Sequence, residues 1–145
     1  AGDGPYRNKL ENMIDQYSLR NNVFILGELH YNDIPNFYKS INLYTQPSIS
    51  EALSITLQEA MASSLPILAS NAGGIPEVID HNETGILFEK GSKKELIIGL
   101  KKIIAMDNVQ REEMGKKARE RSIKKFDIKK TAKTLNNIYN EALNK

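Results

Sequence analysis

The sequence contains no cysteine and no tryptophan, and its two histidines, His30 and His81, stand apart from each other. Without cysteine there is neither a disulfide framework nor a cysteine-based metal site, and the two histidines form no metal-ligand spacing. No apolar run approaches the ~18 residues of a membrane-spanning helix. The opening residues AGDGPYRNKL include no signal-peptide core. We therefore expect a cytoplasmic protein without a metal site.

Aromatic residues are few, and the charge is uneven along the chain. Residues 1–88 contain four basic and ten acidic residues, a net charge of −6, whereas residues 89–145 contain sixteen and eight, a net charge of +8. The basic residues alternate with acids, and few aromatic side chains are available to stack on bases. This pattern favours a solvated helical face over a nucleic-acid site. An anionic membrane surface, at the inner membrane, is the alternative partner for the basic half.

Strand-like and helix-like segments alternate along the first 90 residues. Short β-rich runs predict strands at NNVFILG, INLYTQ, LPILAS and ILFEK, and helical spacing of apolar residues predicts helices between them. Three further helices are predicted after residue 91, with Ser92 and Glu95 as a capping box. Alternation of this kind predicts an α/β fold with a parallel sheet. The length favours one domain, residues 1–145.

Small residues dominate two of the predicted strand-to-helix junctions. SISEALS (48–54) follows one strand, and SNAGG (70–74) follows the next. Ligands of open α/β sheets bind beyond the carboxyl ends of the strands, and a helix N-terminus favours an anion. Gly73 and Gly74 would let the backbone approach a ligand closely. The alternative is that these residues serve only the turns. Neither G-x-x-x-x-G-K-[ST] nor G-x-G-x-x-G occurs in the chain.

Two carboxylates, Glu51 and Glu59, lie in and beside this first junction. If Ser54 caps the helix, Glu51 lies in the loop before it, and Glu59 is one turn beyond Ile55 on the same face. A phosphate at the helix start would then have an acid on either side, each able to accept bonds from sugar hydroxyls. The alternative is that Glu51 interacts with the helix dipole and Glu59 forms an ion pair.

The segment PSISEALSITLQEAMASSLPILASNAGGIPEVIDHNETGILFEKG resembles the donor-binding signature of retaining glycosyltransferases of the family 4 type, which have the GT-B fold. The family pattern reads P-S-x-x-E-G-F-G-L-x-x-x-E-A-M-A, followed by G-x-P-V-I-A-S-x-x-G-G-x-P-E-x-I and G-x-T-G-x-L. The residues that match it in register are Pro47, Ser48, Glu51, Glu59, Ala60, Met61, Ala62, Pro66, Ala69, Ser70, Gly73, Gly74, Pro76, Glu77, Thr84 and Gly85. The resemblance extends over essentially the whole chain.

The resemblance implies a nucleotide diphosphate sugar as substrate and no obligatory metal or other cofactor. It assigns the ribose hydroxyls to Glu59 and the transferred sugar to Glu51, which would be the catalytic residue. Backbone N–H groups of the loop Ala52–Ile55, those of Leu53, Ser54 and Ile55, would face the diphosphate. Backbone at Gly27–Leu29 would border the base, with Gly27 and Leu29 as donor-binding residues.

The chain departs from the family pattern in two ways. The pattern's E-G-F-G-L is here Glu51-Ala52-Leu53-Ser54-Ile55, so both glycines are replaced and an altered donor geometry is expected. The resemblance also implies that the N-terminal acceptor domain and the first strands of the donor domain lie outside this sequence. We therefore expect an inactive fragment in which the edge of INLYTQ is exposed, and a strand-exchanged dimer that pairs this edge.

These features predict the donor-binding part of a retaining glycosyltransferase that transfers a hexose to a glycan or lipid-linked sugar. The Lys/Asn/Ile-rich composition suggests a bacterial enzyme of capsule or lipopolysaccharide synthesis. One alternative is another GT-B enzyme, either a nucleotide-sugar 2-epimerase or a phosphorylase. The other is an interaction module that kept the fold and lost the ligand, for which the Ala-Leu-Ser loop is the support.

Overall fold

The computed structural model describes residues 1–143, and the chain divides into two compact units, Ala1–Phe37 and a second that begins at Tyr38. The first unit contains helix α1 (Arg7–Gln16), a 3₁₀ turn (Tyr31–Asp33) and the start of helix α2 (Ile34–Ser40). Arg7 supports the first turn of α1 through an ion pair with Asp3 at 2.7 Å and another with Glu11 at 2.9 Å.

The strand predicted at NNVFILG does not form, so this prediction was wrong. The segment makes a single antiparallel bridge, in which the N–H of Gly2 donates to the carbonyl of Gly27 at 2.6 Å. Gly27 has φ of +71°, a left-handed conformation that interrupts an extended chain. A strand needs a partner strand along its length, and no ladder among residues 1–143 extends to this segment.

The second unit is built on a three-stranded parallel sheet in the order β1-β2-β3. Strand β1 (Tyr44–Gln46) pairs with β2 (Ile67–Ser70), and β2 pairs with β3 (Ile86–Phe88). β2 is buried at every position, as expected of the central strand of a sheet covered on both faces. β1 is an edge strand, as predicted. The parallel sheet confirms the predicted α/β class.

Five helices follow β1 in the described part of the second unit. Helices α3 (Ile55–Ala62) and α4 (Ile75–Val78) connect the strands, and α5 (Lys93–Ala105), α6 (Asn108–Phe126) and α7 (Ile128–Leu143) follow the sheet. The three predicted closing helices are therefore confirmed. α6 begins with a capping box that the sequence analysis did not identify, in which Asp107 and Gln110 bond each other's backbone N–H.

The capping box predicted for α5 is only half formed. The hydroxyl of Ser92 accepts from the N–H of Glu95 at 3.2 Å, as predicted. The carboxylate of Glu95 does not return to the N–H of Ser92, because it accepts instead from the N–H of Glu89 at 2.7 Å. Glu95 thereby ties the end of β3 to the start of α5.

Packing in the second unit places the helices closely against β2 and the loop that precedes it. Leu68, Ile86, Phe88, Ile103 and Met114 form a buried cluster between the sheet, α5 and α6. In α6, a Cβ added at Gly115 would lie 2.0 Å from the carbonyl oxygen of Ser64. α6 therefore lies directly on the turn that ends α3, and this contact fixes the helix that carries the candidate site.

Candidate functional site

The candidate site lies where β1 and β2 end, at the two junctions that the sequence predicted. The loop after β1 leads through Glu51 to α3, and the loop after β2 leads through Gly73 to α4. The buried hydroxyl of Ser70, at the end of β2, donates to the carbonyl of Ser48 at 2.6 Å. This bond joins the end of one strand to the loop that follows the other.

Gly73 and Gly74 hold the two loops together. Gly73 has φ of +51°, and a Cβ added there would lie 1.7 Å from the carbonyl oxygen of Glu51. A Cβ at Gly74 would lie 2.1 Å from the carbonyl oxygen of Ala52, and the N–H of Gly74 donates to the Glu51 carbonyl at 3.1 Å. Both glycines thus permit a close backbone approach, and in this chain the group that approaches is the Glu51–Ala52 backbone. Whether they also contact a ligand stays a prediction.

Ser54 caps α3, which is the condition on which the expected positions of the two acids depended. Its hydroxyl accepts from the N–H of Leu57 at 3.2 Å and is 4% exposed. Its φ of −74° is ordinary for a residue with a side chain. Within residues 1–143, the non-glycine residues with positive φ are Ser18, Ser64 and Asn82. The replacement of the family's two glycines by Ala52 and Ser54 therefore introduces no left-handed backbone strain in this loop.

The start of α3 presents three backbone donors without an acceptor. No hydrogen bond from the N–H of Leu53, Ser54 or Ile55 reaches any residue among those described. Leu53 and Ile55 are 56% and 70% exposed, so the loop surface around these donors is open. A helix start with unpaired N–H groups carries a partial positive charge and attracts an anion.

Glu51 is half-buried and held by an amide. The side-chain Nε2 of Gln46 donates to Oε2 of Glu51 at 2.9 Å. No ion pair among residues 1–143 includes Glu51. The carboxylate is therefore oriented by a neutral donor and is not paired with a cation among these residues.

Glu59 is also half-buried and has a neutral partner. The phenol of Tyr38 donates to Oε2 of Glu59 at 3.2 Å and lies 3.0 Å from the carbonyl oxygen of Thr56. Burial, followed by the neighbouring Tyr44 and the Glu59 carboxylate, raises the pKa of Tyr38 well above its ordinary value. The phenol therefore stays protonated and donates. The alternative interpretation, an ion pair at Glu59, is not what the described residues form.

The structure brings most of the predicted site residues together. Glu51, Glu59 and the Ala52–Ile55 loop lie around the start of α3, with Gly73 and Gly74 against that loop. Gly27 and Leu29 belong to the other compact unit, and their predicted role at the base stays a prediction.

The sequence did not indicate which polar side chains hold the two acids. They are Tyr38, which donates to Glu59, and Gln46, which donates to Glu51. A polar residue at the end of an otherwise β-rich run was the available signal for Gln46.

Residues 1–143 contain neither a metal-binding cluster nor a membrane-spanning helix. No group of three or more histidine, cysteine, aspartate or glutamate side chains there could hold a metal ion. In the same part of the chain, every helix is too short or too polar to cross a membrane.

Comparison with known proteins identifies the family of the chain. A sequence profile of the family described as "Glycosyl transferases group 1" matches residues 1–121. The chain belongs to this family. One relative, sulfoquinovosyl transferase SQD2 of Arabidopsis thaliana, is 36% identical over 146 residues, which cover 98% of this chain and 28% of that protein.

Solved GT-B glycosyltransferases have the same architecture. Sucrose-phosphate synthase from Thermosynechococcus elongatus matches with a TM-score of 0.88 at 26% identity, over 99% of this chain and 37% of that one. HepE of Anabaena, solved in complex with UDP-glucose, matches with a TM-score of 0.80 at 27% identity, over 91% and 37%. The chain thus spans roughly a third of the length of these relatives.

Proposed function

We propose that this chain is the donor-binding part of a retaining glycosyltransferase of the family 4 type. The full protein would transfer a hexose from a nucleotide diphosphate sugar to a glycan or a lipid-linked sugar. The observation that carries the proposal is the start of α3, where three unpaired N–H groups lie between Glu51 and Glu59 in sequence. A diphosphate would accept hydrogen bonds from these N–H groups, and the hydroxyls of the sugars on either side of it would donate hydrogen bonds to the two carboxylates.

The contacts of the two acids support their separate roles. Glu59 lies one turn into α3 and would bind the ribose hydroxyls, while Glu51 lies before the helix and would bind the transferred sugar. Each acid has one oxygen engaged by a neutral donor, Tyr38 for Glu59 and Gln46 for Glu51. A carboxylate held in this way is oriented but not neutralised, so it can accept bonds from sugar hydroxyls.

The relatives support a nucleotide sugar as the ligand. HepE of Anabaena is solved with UDP-glucose and, in another crystal, with UDP. No cofactor is proposed for this chain, since the helix start supplies the positive field for the diphosphate. The Ala52–Ser54 loop supports binding rather than a lost site, because its residues adopt unstrained conformations and Ser54 caps α3.

Titration of nucleotides into the isotope-labelled chain tests the proposal by NMR. UDP, GDP and ADP are added separately, and amide shifts of Leu53, Ser54 and Ile55 are followed. We expect one nucleotide to shift these amides, and Glu59→Gln to weaken its binding about tenfold, the effect of losing a bond to a charged group.

Glu141→Gln, an exposed acid of α7, is the matched control and leaves binding unchanged. Binding that Glu59→Gln does not alter would contradict the ribose role, and no shift with any nucleotide would contradict the proposed function.

The predicted partners outside the site follow from other surfaces. β1 is an edge strand, so a strand-exchanged dimer through this edge stays a prediction that light scattering tests. Helix α7 exposes the apolar side chains of Ile128, Ile138 and Tyr139 and has three lysines in its first half, which supports the predicted anionic membrane surface as a partner. Binding to anionic vesicles that salt abolishes would support that partner, and its absence at low salt would contradict it.

A further inference from the structure

Gln46 stands at the centre of the polar contacts around the candidate site. It ends β1 and is 8% exposed. Its side-chain amide lies within hydrogen-bond distance of four side chains: Tyr44 at 3.1 Å, Ser48 at 3.3 Å, Glu51 at 2.9 Å and Ser54 at 2.9 Å. A buried amide with so many partners is fixed in one orientation, because each lost bond leaves a buried polar atom unpaired.

The chemistry of these partners determines which way the amide faces. The ionised carboxylate of Glu51 can only accept, so it requires the Nε2 donor of Gln46. The hydroxyl of Ser54 donates to Oε1 of Gln46 at the opposite side of the amide. The reversed amide would place Oε1 against the carboxylate, so that two acceptors would face each other.

Ser54 connects this amide to the start of α3. The same hydroxyl oxygen that donates to Gln46 accepts from the N–H of Leu57, the bond that caps the helix. The start of α3 therefore holds the amide of Gln46, and Gln46 in turn holds the carboxylate of Glu51, whereas the capping bond to Leu57 does not involve Gln46. The glycine of the family pattern at position 54 has no hydroxyl and could not make this link.

The carboxylate of Glu51 is consequently held at one oxygen only. Oε2 accepts from Gln46, and no hydrogen bond among residues 1–143 reaches Oε1. The backbone of the same residue is also fixed, since its carbonyl accepts from the N–H of Gly74 at 3.1 Å. The side chain therefore has a defined orientation and one oxygen left for a ligand.

We infer that Gln46 is a positioning residue that orients Glu51 towards the transferred sugar, and that Ser54 holds Gln46 in place. This inference rests on the proposed function, in which Glu51 binds the sugar and Glu59 the ribose. A residue that acts through Glu51 affects the sugar and not the nucleotide. Gln46 thus governs the additional affinity that the sugar contributes, and leaves the affinity for the nucleoside diphosphate unchanged.

Matched pairs of ligands separate these two contributions. The affinities of the chain for UDP and UDP-glucose, ADP and ADP-glucose, and GDP and GDP-mannose are measured by titration. We expect Gln46→Met to weaken binding of the nucleotide sugar about tenfold, the loss of a bond to a charged group, while affinity for the matching nucleotide stays the same. Gln46→Glu, which places a like charge beside Glu51, should weaken it further.

Controls distinguish a positioning role from a structural one. Gln16→Met, a surface glutamine of α1, leaves both affinities unchanged. The double variant Gln46→Met with Glu51→Gln should bind the nucleotide sugar no more weakly than Glu51→Gln alone, because Gln46 acts through Glu51. A structural role would instead weaken nucleotide and nucleotide sugar together.

NMR of the Gln46 side chain gives a second readout, which reports its contacts with Glu51 and Ser54. The side-chain NH₂ resonances of Gln46 should move on Glu51→Ala and on Ser54→Ala, and stay in place on Glu141→Ala. If the chain binds a nucleotide but Gln46→Met leaves the affinity for the nucleotide sugar unchanged, the positioning role is overturned and the proposed function stands. If no nucleotide binds, the proposed function fails and the positioning role with it.

Discussion

The phenol of Tyr38 donates to the carboxylate of Glu59 across 3.2 Å, and so joins the last turn of α2 to α3. Tyr38 is 5% exposed, and its hydroxyl also reaches the carbonyl of Thr56 at 3.0 Å. The bond fixes one oxygen of the acid that we assign to the ribose. It parallels the bond between Gln46 and Glu51, so each proposed sugar-binding acid is held by one neutral donor from a neighbouring element.

Tyr38→Phe should make the protein less sensitive to alkaline pH. Burial raises the pKa of this phenol above its ordinary value of 10.0. The stability that the neutral phenol contributes is complete below that ordinary pKa and is lost as the pH rises through the raised pKa. Between about pH 9 and 11, the unfolding free energy of the wild type, measured with urea, should fall as the pH rises. The fall should be smaller in Tyr38→Phe.

The same substitution also removes a buried hydrogen bond. At neutral pH we expect Tyr38→Phe to lower the unfolding free energy by about 1 kcal/mol. Tyr139→Phe is the control, because Tyr139 is a 64% exposed tyrosine on α7. Equal pH dependence in the wild type and in Tyr38→Phe would show that the buried phenol does not control the alkaline transition.

Gly73→Ala should displace the loop that carries Glu51 and abolish nucleotide binding. The substitution places a Cβ 1.7 Å from the carbonyl oxygen of Glu51, and that backbone must move. The left-handed φ of +51° adds a conformational cost of about 1–2 kcal/mol. Nucleotide titration by NMR, together with urea unfolding, measures both effects.

Gly91→Ala is the matched control for this loop. Gly91 also has a left-handed φ, +76°, but its added Cβ would meet nothing closer than Ile49 at 3.8 Å. Gly91→Ala should therefore be destabilised by the conformational cost alone and should still bind the nucleotide. Loss of binding in both variants would mean that general destabilisation is the cause, and that contact with Glu51 is not.

Particular residues show how far the sequence alone predicts this site. Ser54 could be considered as a helix cap from the sequence, because a hydroxyl that precedes a helical segment is a local relationship. The burial of β2 followed in the same way from its run of apolar residues. Tyr38 could not be assigned, because helix packing brings it to Glu59 from 21 residues away. Gln46 is close to Glu51 in sequence, but their contact depends on the path of the loop after β1. NNVFILG has the composition of a strand, but forming one depends on a partner strand.

Ser54→Ala should destabilise the chain more than Ser92→Ala, although both remove a serine N-cap. Ser92 caps α5 and bonds only the N–H of Glu95, so its loss should cost about 1 kcal/mol. Ser54→Ala also removes a donor to Oε1 of buried Gln46, which adds about 1 kcal/mol or more. Urea unfolding of the two variants measures the difference, and equal losses would contradict the link between Ser54 and Gln46.

Arg121→Met should destabilise the second unit through α4, the helix that follows the Gly73–Gly74 loop. The Nε of Arg121 donates to the carbonyl of Val78 at 2.6 Å, and its Nη2 donates to that of Glu77 at 3.0 Å. The guanidinium also pairs with Asp80, and the side chain is only 16% exposed. It therefore satisfies carbonyls at the end of α4 that would otherwise lack a partner.

Arg121→Lys separates charge from geometry at this position. A lysine can still pair with Asp80, but it cannot serve two carbonyls and a carboxylate in one plane as the guanidinium fork does. We expect a loss of about 2 kcal/mol in unfolding free energy for Arg121→Met and a smaller one for Arg121→Lys. Added salt should change the wild-type value little, because the two carbonyl bonds do not depend on the ion pair. If salt abolished the difference between Arg121→Met and the wild type, the contribution would come from the ion pair and not from the end of α4.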